Sequence, residues 1–537
     1  MHKFLSFCLV IALSGVCLAQ SESATLSGRV TDPGGSAVVG AEVVLTNIET
    51  NVESRTKTNS AGLYVFTGVH PGKYRVAAGA TGFKVLIKDG LVLHVQDELA
   101  ENFALTLGTV SETVTVTADA TPLNTTDASV STVVDRKFVE SLPLNGRSFN
   151  TLLQLTPGVV IAQQPSTTSA ASPGQFSISG QRTDANNFSI DGVSANFGAS
   201  GFNGTGATQA FSAIGGTSSL ISVDALQEFR IETSSYTPEF GRQPGGQVIL
   251  TTRSGTNDFH GGGFDYFRNT VMDANDWFLS EAGKPRAAEH HNDFGGIFGG
   301  PLWKNKSFFF FSYEGARLDL PQGAVFNVPS AYARAQAAGN AIAPYLDAYP
   351  QPDDRTAVPG VYTAPLTAGY SNPGTLNAAS LRIDHHFNDR FSIFGRYNYA
   401  PSSLSTVFSE PNNPFKSIVN TKTLTAGINM SLSSRLWNTV RANYSTQSTR
   451  NPSSLTSFGG AVPLDPTLLL GSLPVSNNNA TFATFDTGLL TVGPGAKTHT
   501  TQLNFVDDLA VKVAAHQLKF GGDYRSIFYN NTPPKYV

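Results

Sequence analysis

The stretch LISVDALQEFRIETSSYTPEFGRQPGGQVILTTRSGTNDFHGGGFDYFRN, from Leu220 to Asn269, changes character halfway along. Its first half is a compact, glycine-rich segment that ends in the apolar run Val248-Ile249-Leu250. A polar break, Ser254-Gly255-Thr256-Asn257, then leads into a segment in which aromatic residues recur from Phe259 to Phe267. This order predicts a compact domain that continues directly into a series of exposed strands.

The first 19 residues have the features of a secretory signal peptide. Lys3 precedes an apolar run, small residues follow, and Ala19 ends a suitable cleavage site. The apolar run is shorter than the ~20 residues of a membrane-spanning helix. We therefore expect residues 1–19 to be removed after export.

The composition excludes several classes of function. Both cysteines, Cys8 and Cys17, lie in the signal, so the mature chain has no disulfide and no cysteine-ligated zinc. The net charge is −4 and becomes −5 when Lys3 is removed, which argues against a nucleic-acid partner. Charged residues make up only 14% of the chain, below the ~25% of soluble domains. Few charges with many aromatic and small polar residues favour β-structure of the outer-membrane kind.

Residues 24–107 have the pattern of several short strands. Turn signals such as Asp32-Pro33-Gly34-Gly35 and His70-Pro71-Gly72 separate apolar alternations. The segments SGRVTDPGGSAVVGAEVVLTN and TNSAGLYVFTGVHPGKYRVAAGATGF resemble the carboxypeptidase regulatory-like domain, a transthyretin-like β-sandwich with a carbohydrate-binding-like fold. The resemblance implies a structural or docking module. It implies no peptidase, because His70 and His94 lack the ligand spacing of a catalytic zinc site.

Residues 130–255 resemble the plug domain of TonB-dependent outer-membrane receptors. The resemblance rests on FVESLPLNGRSFN (Phe138–Asn150), FSISGQR (Phe176–Arg182), NNFSIDGV (Asn186–Val193) and VDALQEFRI (Val223–Ile231). It implies an α+β plug inside a barrel. From the residues themselves, Asp191-Gly192 is predicted to form a tight turn between two strands.

Charged residues of the plug are candidates for locking it to the barrel wall. A charge buried in the barrel lumen must be paired or hydrogen-bonded, so we expect ion pairs between plug and wall that a pull from a partner would release. The candidates are Arg182, Asp191, Glu228, Arg230, Glu239 and Arg242. The glycine-, serine- and alanine-rich stretch from Ala195 to Ser219 is predicted to be a mobile loop that faces the ligand.

A linker, residues 108–129, contains a candidate TonB box. Its residues are Glu112, Thr113, Val114, Thr115, Val116, Thr117 and Ala118. β-Branched residues at almost every position favour an extended segment with strong pairing capacity. In the receptor family such a motif pairs as an added strand with the energy-transducing partner, mainly through main-chain hydrogen bonds. The alternative is that this segment is the last strand of the preceding domain, and both interpretations remain open.

Residues 256–537 are predicted to form the first part of a transmembrane antiparallel β-barrel, so that the whole chain is mainly β. Apolar and polar residues alternate along segments such as Leu381–Phe387 and Thr421–Met430, as in outer-membrane strands of ~10 residues. FGGIFGGP and KSFFFFSYEG, with the regulatory-like domain, are similar to the Oar-like subgroup of these receptors. Plugged barrels have about 22 strands, whereas we count roughly nine. We therefore expect the chain to be C-terminally incomplete, since an open sheet edge is unfavourable in lipid.

The resemblance implies a TonB-dependent receptor in the bacterial outer membrane, with its N-terminal domain in the periplasm. The expected activity is energy-coupled uptake of a large solute such as an oligosaccharide, a peptide or a chelate. Expected partners are outer-membrane lipid, a TonB-type energy-transducing protein, the barrel assembly machinery and an extracellular ligand. The alternatives are a non-transporting surface protein for adhesion, secretion or matrix attachment, and an inactive truncated fragment.

The sequence predicts no enzyme and no cofactor, catalytic or metal site. The pairs His290-His291 and His385-His386 are the notable histidines, and adjacent residues of a strand point to opposite faces. Neither pair has a glutamate at metalloprotease spacing.

Overall fold

The computed structural model describes residues 23–108, 113–117, 129–141, 150–163, 175–200, 204–215, 218–471, 473–474, 476, 478–484, 486–513 and 516–536. The predicted signal peptide and two residues of the candidate TonB box, Glu112 and Ala118, lie outside these ranges. Among the described residues, no helix combines the length and the apolar character needed to cross a membrane.

The N-terminal domain is a β-sandwich, as predicted. One sheet has the order β4-β1-β7, with β8 also paired to β1, and the other has the order β3-β2-β5-β6-β9. Inward side chains such as Leu26, Val43, Tyr64 and Val76 form a common core between the sheets. The strands are β1 (Ala24–Thr31), β2 (Glu42–Asn47), β3 (Glu53–Lys57), β4 (Leu63–Val69), β5 (Gly72–Gly79), β6 (Val85–Leu93), β7 (Glu98–Ala100), β8 (Phe103–Ala104) and β9 (Thr113–Thr117).

The plug is a small α+β domain around the mixed sheet β10-β17-β18-β13-β14. Its strands are β10 (Val130–Val134), β11 (Val159–Gln163), β12 (Gln175–Ile178), β13 (Asn187–Ile190), β14 (Val193–Ser194), β15 (Gly198–Ser200), β16 (Gly204–Thr208), β17 (Leu226–Ser234) and β18 (Gln247–Thr252), and its helices are α1 (Arg136–Ser141) and α2 (Asn150–Leu153). Short 3₁₀ turns lie at Thr183–Ala185 and Val223–Ala225. The predicted turn at Asp191-Gly192 joins β13 to β14, with φ of +49° and +78°. Both residues are thus left-handed, as a two-residue hairpin turn of this type requires.

Nine of the remaining strands form one antiparallel sheet, the number that the alternation predicted, and three short strands form a small separate sheet. In chain order the strands are β19 (His260–Asn269), β20 (His290–Trp303), β21 (Ser307–Pro329), β22 (Thr363–Asn388), β23 (Phe391–Val407), β24 (Pro414–Ser433), β25 (Leu436–Arg450), β26 (Asn478–Phe482), β27 (Leu490–Val492), β28 (Lys497–Val513), β29 (His516–Thr532) and β30 (Lys535–Tyr536). The sheet contains β19 to β25, β28 and β29, each paired with its neighbour in sequence, and β19 and β29 form its edges. We call this sheet the wall.

The two faces of the wall differ in chemistry. Tyr397, Leu424 and Tyr444 follow one another across the ladder and are 48%, 51% and 49% exposed. The row beside them, including Arg396 and Asn443, is polar and buried. One face is therefore apolar and outward, and the other is polar and covered by the plug, as in an outer-membrane barrel.

Short turns connect the strands at one end of the wall and long loops connect them at the other. Three of the long loops are named here as loop A (330–362), loop B (408–413) and loop C (451–496). The loop helices are α3 (Trp277–Glu281), α4 (Ala331–Ala337), α5 (Ala343–Asp347) and α6 (Pro466–Leu470), with 3₁₀ turns at Thr270–Met272 and Phe458–Gly460.

Candidate functional site

The turn between β13 and β14 places Asp191 against the inner face of the wall. Asp191 is 1% exposed. Its Oδ1 lies 3.0 Å from Nη1 of Arg382, and its Oδ2 lies 2.7 Å from Nε of Arg396. Thr252 donates its backbone N–H and its hydroxyl to Oδ1, at 3.0 and 2.8 Å. Since Arg382 lies on β22 and Arg396 on β23, one plug carboxylate joins two strands of the wall.

The two arginines are neighbours on the wall, and both contact this carboxylate. They are directly paired across the β22–β23 ladder, where two like charges repel unless an anion lies between them. Asp384 accepts from Nη2 and Nε of Arg382 at 2.8 and 2.9 Å. The guanidinium of Arg382 also lies 4.4 Å from the centroid of the Phe394 ring, a cation–π contact. These contacts fix the orientation of Arg382 towards the plug.

Uncharged polar groups hold the neighbouring part of the plug. Ser194 donates its backbone N–H to Asn504 Oδ1 at 2.8 Å, and its carbonyl accepts from Gln502 at 2.7 Å. Further along, Gln447 donates to the carbonyl of Phe211 at 3.1 Å. Ser402 accepts the backbone N–H of Ala213 at 2.8 Å.

These contacts correct the prediction of a mobile loop from Ala195 to Ser219. In its described parts, Phe211 and Ala213 are 4% and 0% exposed and pack against Leu404 and Val419 of the wall. The loop composition was misleading because small residues also permit close approach of a backbone to a flat β-surface.

Two further candidates contact β29, the strand at the opposite edge of the wall from β19. Arg242 lies 2.7 Å from Asp523 Oδ1 on β29 and donates to the Asp523 carbonyl at 3.1 Å. Glu239 lies 2.8 Å from the ammonium of Lys519. Lys519 also lies 2.8 Å from Glu98, so this cation connects plug, wall and N-terminal domain.

Glu228 and Arg230 bind the N-terminal domain. Both lie on β17 and hold the turn after β6, which presents Val95. The Val95 N–H donates to Glu228, and its carbonyl accepts from Arg230 at 3.1 Å. The Val95 side chain is fully buried beside Phe240 and Ile249. We call these contacts the latch between the N-terminal domain and the plug.

The latch includes a histidine whose pKa it raises. His94 Nδ1 lies 2.8 Å from the second oxygen of Glu228. The hydrogen bond with Glu228 raises the pKa of His94 against the opposing effect of burial, and the nearby charges of Glu228, Asp97 and Asp135 add to it. Protonation of His94 therefore strengthens the latch.

Arg182 and the candidate TonB box do not take part in the contacts described above. Arg182 is exposed, and within the described part of the chain its side chain forms no ion pair. Thr113 to Thr117 form β9, which pairs in parallel with Val85–Asp89 of β6 at the edge of a sandwich sheet. This is the arrangement that the alternative interpretation describes, and it does not test pairing with a partner.

The arginines of the wall were not among the sequence candidates. Arg382 and Arg396 occupy inward positions of their strands, which the alternation indicates, but nothing local shows that they face each other. As for metals, no cluster of three or more metal-ligating side chains occurs among the residues that the structure describes.

Comparisons with known proteins agree with this architecture. Residues 251–536 match the family model of the outer membrane beta barrel domain, residues 122–247 match the TonB-dependent receptor plug domain, and residues 25–106 match the carboxypeptidase regulatory-like domain. The barrel model covers more than half of the chain. The chain therefore belongs to the family of plugged outer-membrane β-barrels, the TonB-dependent receptors.

Within that family the chain is similar to the TonB-dependent transporter Oar of Myxococcus xanthus. The two are 27% identical over 306 residues, which cover 54% of this chain and 26% of that protein. The outer membrane transporter YddB of Escherichia coli has the same fold, with a TM-score of 0.50 and 15% identity over 75% of this chain. The match covers 48% of the YddB chain, so this chain spans about half or less of these relatives.

The family defines the location and orientation of the molecule. The protein is located in the bacterial outer membrane, with the plug and N-terminal domain on the periplasmic side. The short turns of the wall then face the periplasm and the long loops face the exterior.

Proposed function

We propose that this protein takes up a large solute across the outer membrane, using energy from a TonB-type partner. The observation that carries the proposal is the seating of the plug on the wall through Asp191, Arg382 and Arg396. A buried ion pair of this kind holds the plug closed, since removing one partner leaves a charge unpaired in a dry interface. Opening therefore requires work, which a mechanical pull supplies.

The linker between the N-terminal domain and the plug, residues 108–129, is the place where we propose that the partner pulls. β9 lies within this linker and β10 follows it, and each is an edge strand of its own sheet. β10 is hydrogen-bonded to β17 alone among the described strands. An edge strand can accept an added strand or be peeled away one pair at a time.

In this proposal the solute is an oligosaccharide, a peptide or a chelate. The barrel assembly machinery is the proposed partner that inserts the wall into the membrane. The single test is binding of the purified chain to the soluble C-terminal domain of a TonB-type protein from the same cell. A double variant, Val114→Pro with Val116→Pro, removes two main-chain donors of β9. We expect its affinity to fall at least tenfold.

The matched control is Thr115→Val, which changes a side chain of β9 and keeps every main-chain donor. Its affinity should stay within about twofold of the original, because strand addition depends on the main chain. If the proline variant binds as tightly as the original chain, TonB coupling does not act through β9, and a surface role without transport is favoured. If binding falls as expected, growth on panels of oligosaccharides, peptides and ferric chelates would identify the solute.

A further inference from the structure

The three extracellular loops A, B and C pack into one unit with its own small core. Ala348 and Tyr349 of loop A are buried against Leu464 and Leu490 of loop C. The ring of Phe482 packs edge-on against Tyr349, with 6.0 Å between the centroids. These loops are therefore a folded element and not separate connections.

Loop B holds the other two loops together. Asn412 is fully buried and donates its side-chain N–H to the carbonyl of Ala348 in loop A, at 2.7 Å. The backbone carbonyl of Asn412 accepts the backbone N–H of Thr456 in loop C, also at 2.7 Å. Asn413 donates to the carbonyl of Thr491 at 2.7 Å. A disturbance of loop B is thus transmitted to both neighbours.

Glu410 lies at the centre of this junction. It is 1% exposed, and its Oε1 accepts the N–H of Gly488 in loop C at 3.0 Å. A Cβ on Gly488 would lie 2.5 Å from that oxygen and 2.9 Å from the backbone oxygen of Ser409, so a larger residue would disturb this contact. The other oxygen, Oε2, has no hydrogen-bond partner among the described residues. No cationic side chain of the described loops pairs with it.

A carboxylate in this position is unfavourable. An ionised carboxyl group that is buried without a cation costs several kcal/mol, and such a group becomes neutral instead. Burial raises the pKa of Glu410 to about 7, with only the Gly488 hydrogen bond opposing it. The titratable group facing it is Tyr349, whose hydroxyl donates to the Gly488 carbonyl at 2.9 Å. Burial raises the pKa of Tyr349 as well, so it stays neutral in the same range.

We propose that the extracellular loop unit is a pH-responsive closure, packed when Glu410 is protonated and loosened when Glu410 ionises. The sign follows from linkage: a group with a raised pKa in the packed state contributes stability fully below its unfolded pKa and loses it as pH rises through the packed-state pKa. The unit is then tightest in mildly acidic surroundings and loosens as pH rises towards about 7. This inference is independent of the TonB proposal, because it concerns the outer side alone.

The test is hydrogen exchange of the full chain in detergent micelles, followed by mass spectrometry between pH 5.5 and 8.5. After correction for the intrinsic pH dependence of exchange, the segment with Gly488 and Thr491 should open more readily as pH rises from 5.5 to about 7 and then level off. Loss of one proton predicts an increase approaching tenfold per pH unit below about pH 7 and little further change above it. A flat corrected profile for the unmodified chain would overturn the proposal.

Two variants assign the effect to Glu410. E410Q keeps the shape of the side chain and is neutral at every pH, so its profile should be flat. D354N makes the same change at a carboxyl group that lies in loop A and is fully exposed, and it should retain the rise. A rise that persists in E410Q would also refute the proposal. Should E410Q fail to fold, the profile of the unmodified chain still decides.

Discussion

Replacing Asp191 by asparagine tests whether its charge holds the plug against the wall. Asparagine keeps the shape and still accepts the Thr252 N–H, but it leaves Arg382 and Arg396 without their shared anion. Breaking a buried pair by removing one partner costs about 3–5 kcal/mol. Arg382 keeps Asp384 at 2.8 Å, so we expect the lower end, about 3 kcal/mol.

A buried cysteine reports this loss directly. Ala213→Cys places a thiol on the plug face, where the residue is 0% exposed, and the two other cysteines, Cys8 and Cys17, lie in the predicted signal peptide. When closing is fast relative to labelling, the labelling rate follows the open population. A loss of about 3 kcal/mol raises the open population roughly 100-fold, and D191N should raise the labelling rate by the same factor.

The control for this experiment is D258N at an exposed carboxylate near the junction of plug and wall. Its labelling rate should stay within about twofold of the parent, because exposed charges contribute little. If D191N labels no faster than D258N, the ion pair does not hold the plug and the mechanical part of the proposal fails.

Two further predictions concern the latch and the turn. The latch should weaken as pH rises, because the pKa of His94 is raised in the folded protein. The contribution of His94 to stability is complete below its unfolded pKa of 6.5 and is lost above its folded pKa. The rate of thiol labelling of Val95→Cys, divided by the rate for the exposed Val39→Cys, should therefore rise with pH. In E228Q this ratio should be independent of pH. A pH-independent ratio without E228Q would contradict the prediction. Gly192→Ala should lower plug stability by about 1–2 kcal/mol because of its left-handed φ, seen as a lower thermal midpoint, whereas Gly262→Ala in open space should not.

The predictions that succeeded are those that depend on short-range pattern. Alternation along segments such as Leu381–Phe387 identified strands and their faces, because side chains in a strand point to opposite sides with a period of two. The Asp191-Gly192 turn was predicted for a similar reason, since few residues tolerate two successive left-handed conformations. Both properties are written in neighbouring residues.

The partners of the charged residues were decided by tertiary structure. Glu228 and Glu239 are eleven positions apart in the plug, yet Glu228 binds His94 of the N-terminal domain and Glu239 binds Lys519 of the wall. Local pattern shows that such a charge needs a partner and cannot show which one, because the partners lie more than 100 residues away. The sequence by itself determined the strands, their faces and the class of protein. Only the packing of three domains decided which ion pairs the plug charges form, because a buried charge is satisfied by whatever group the fold brings within about 3 Å.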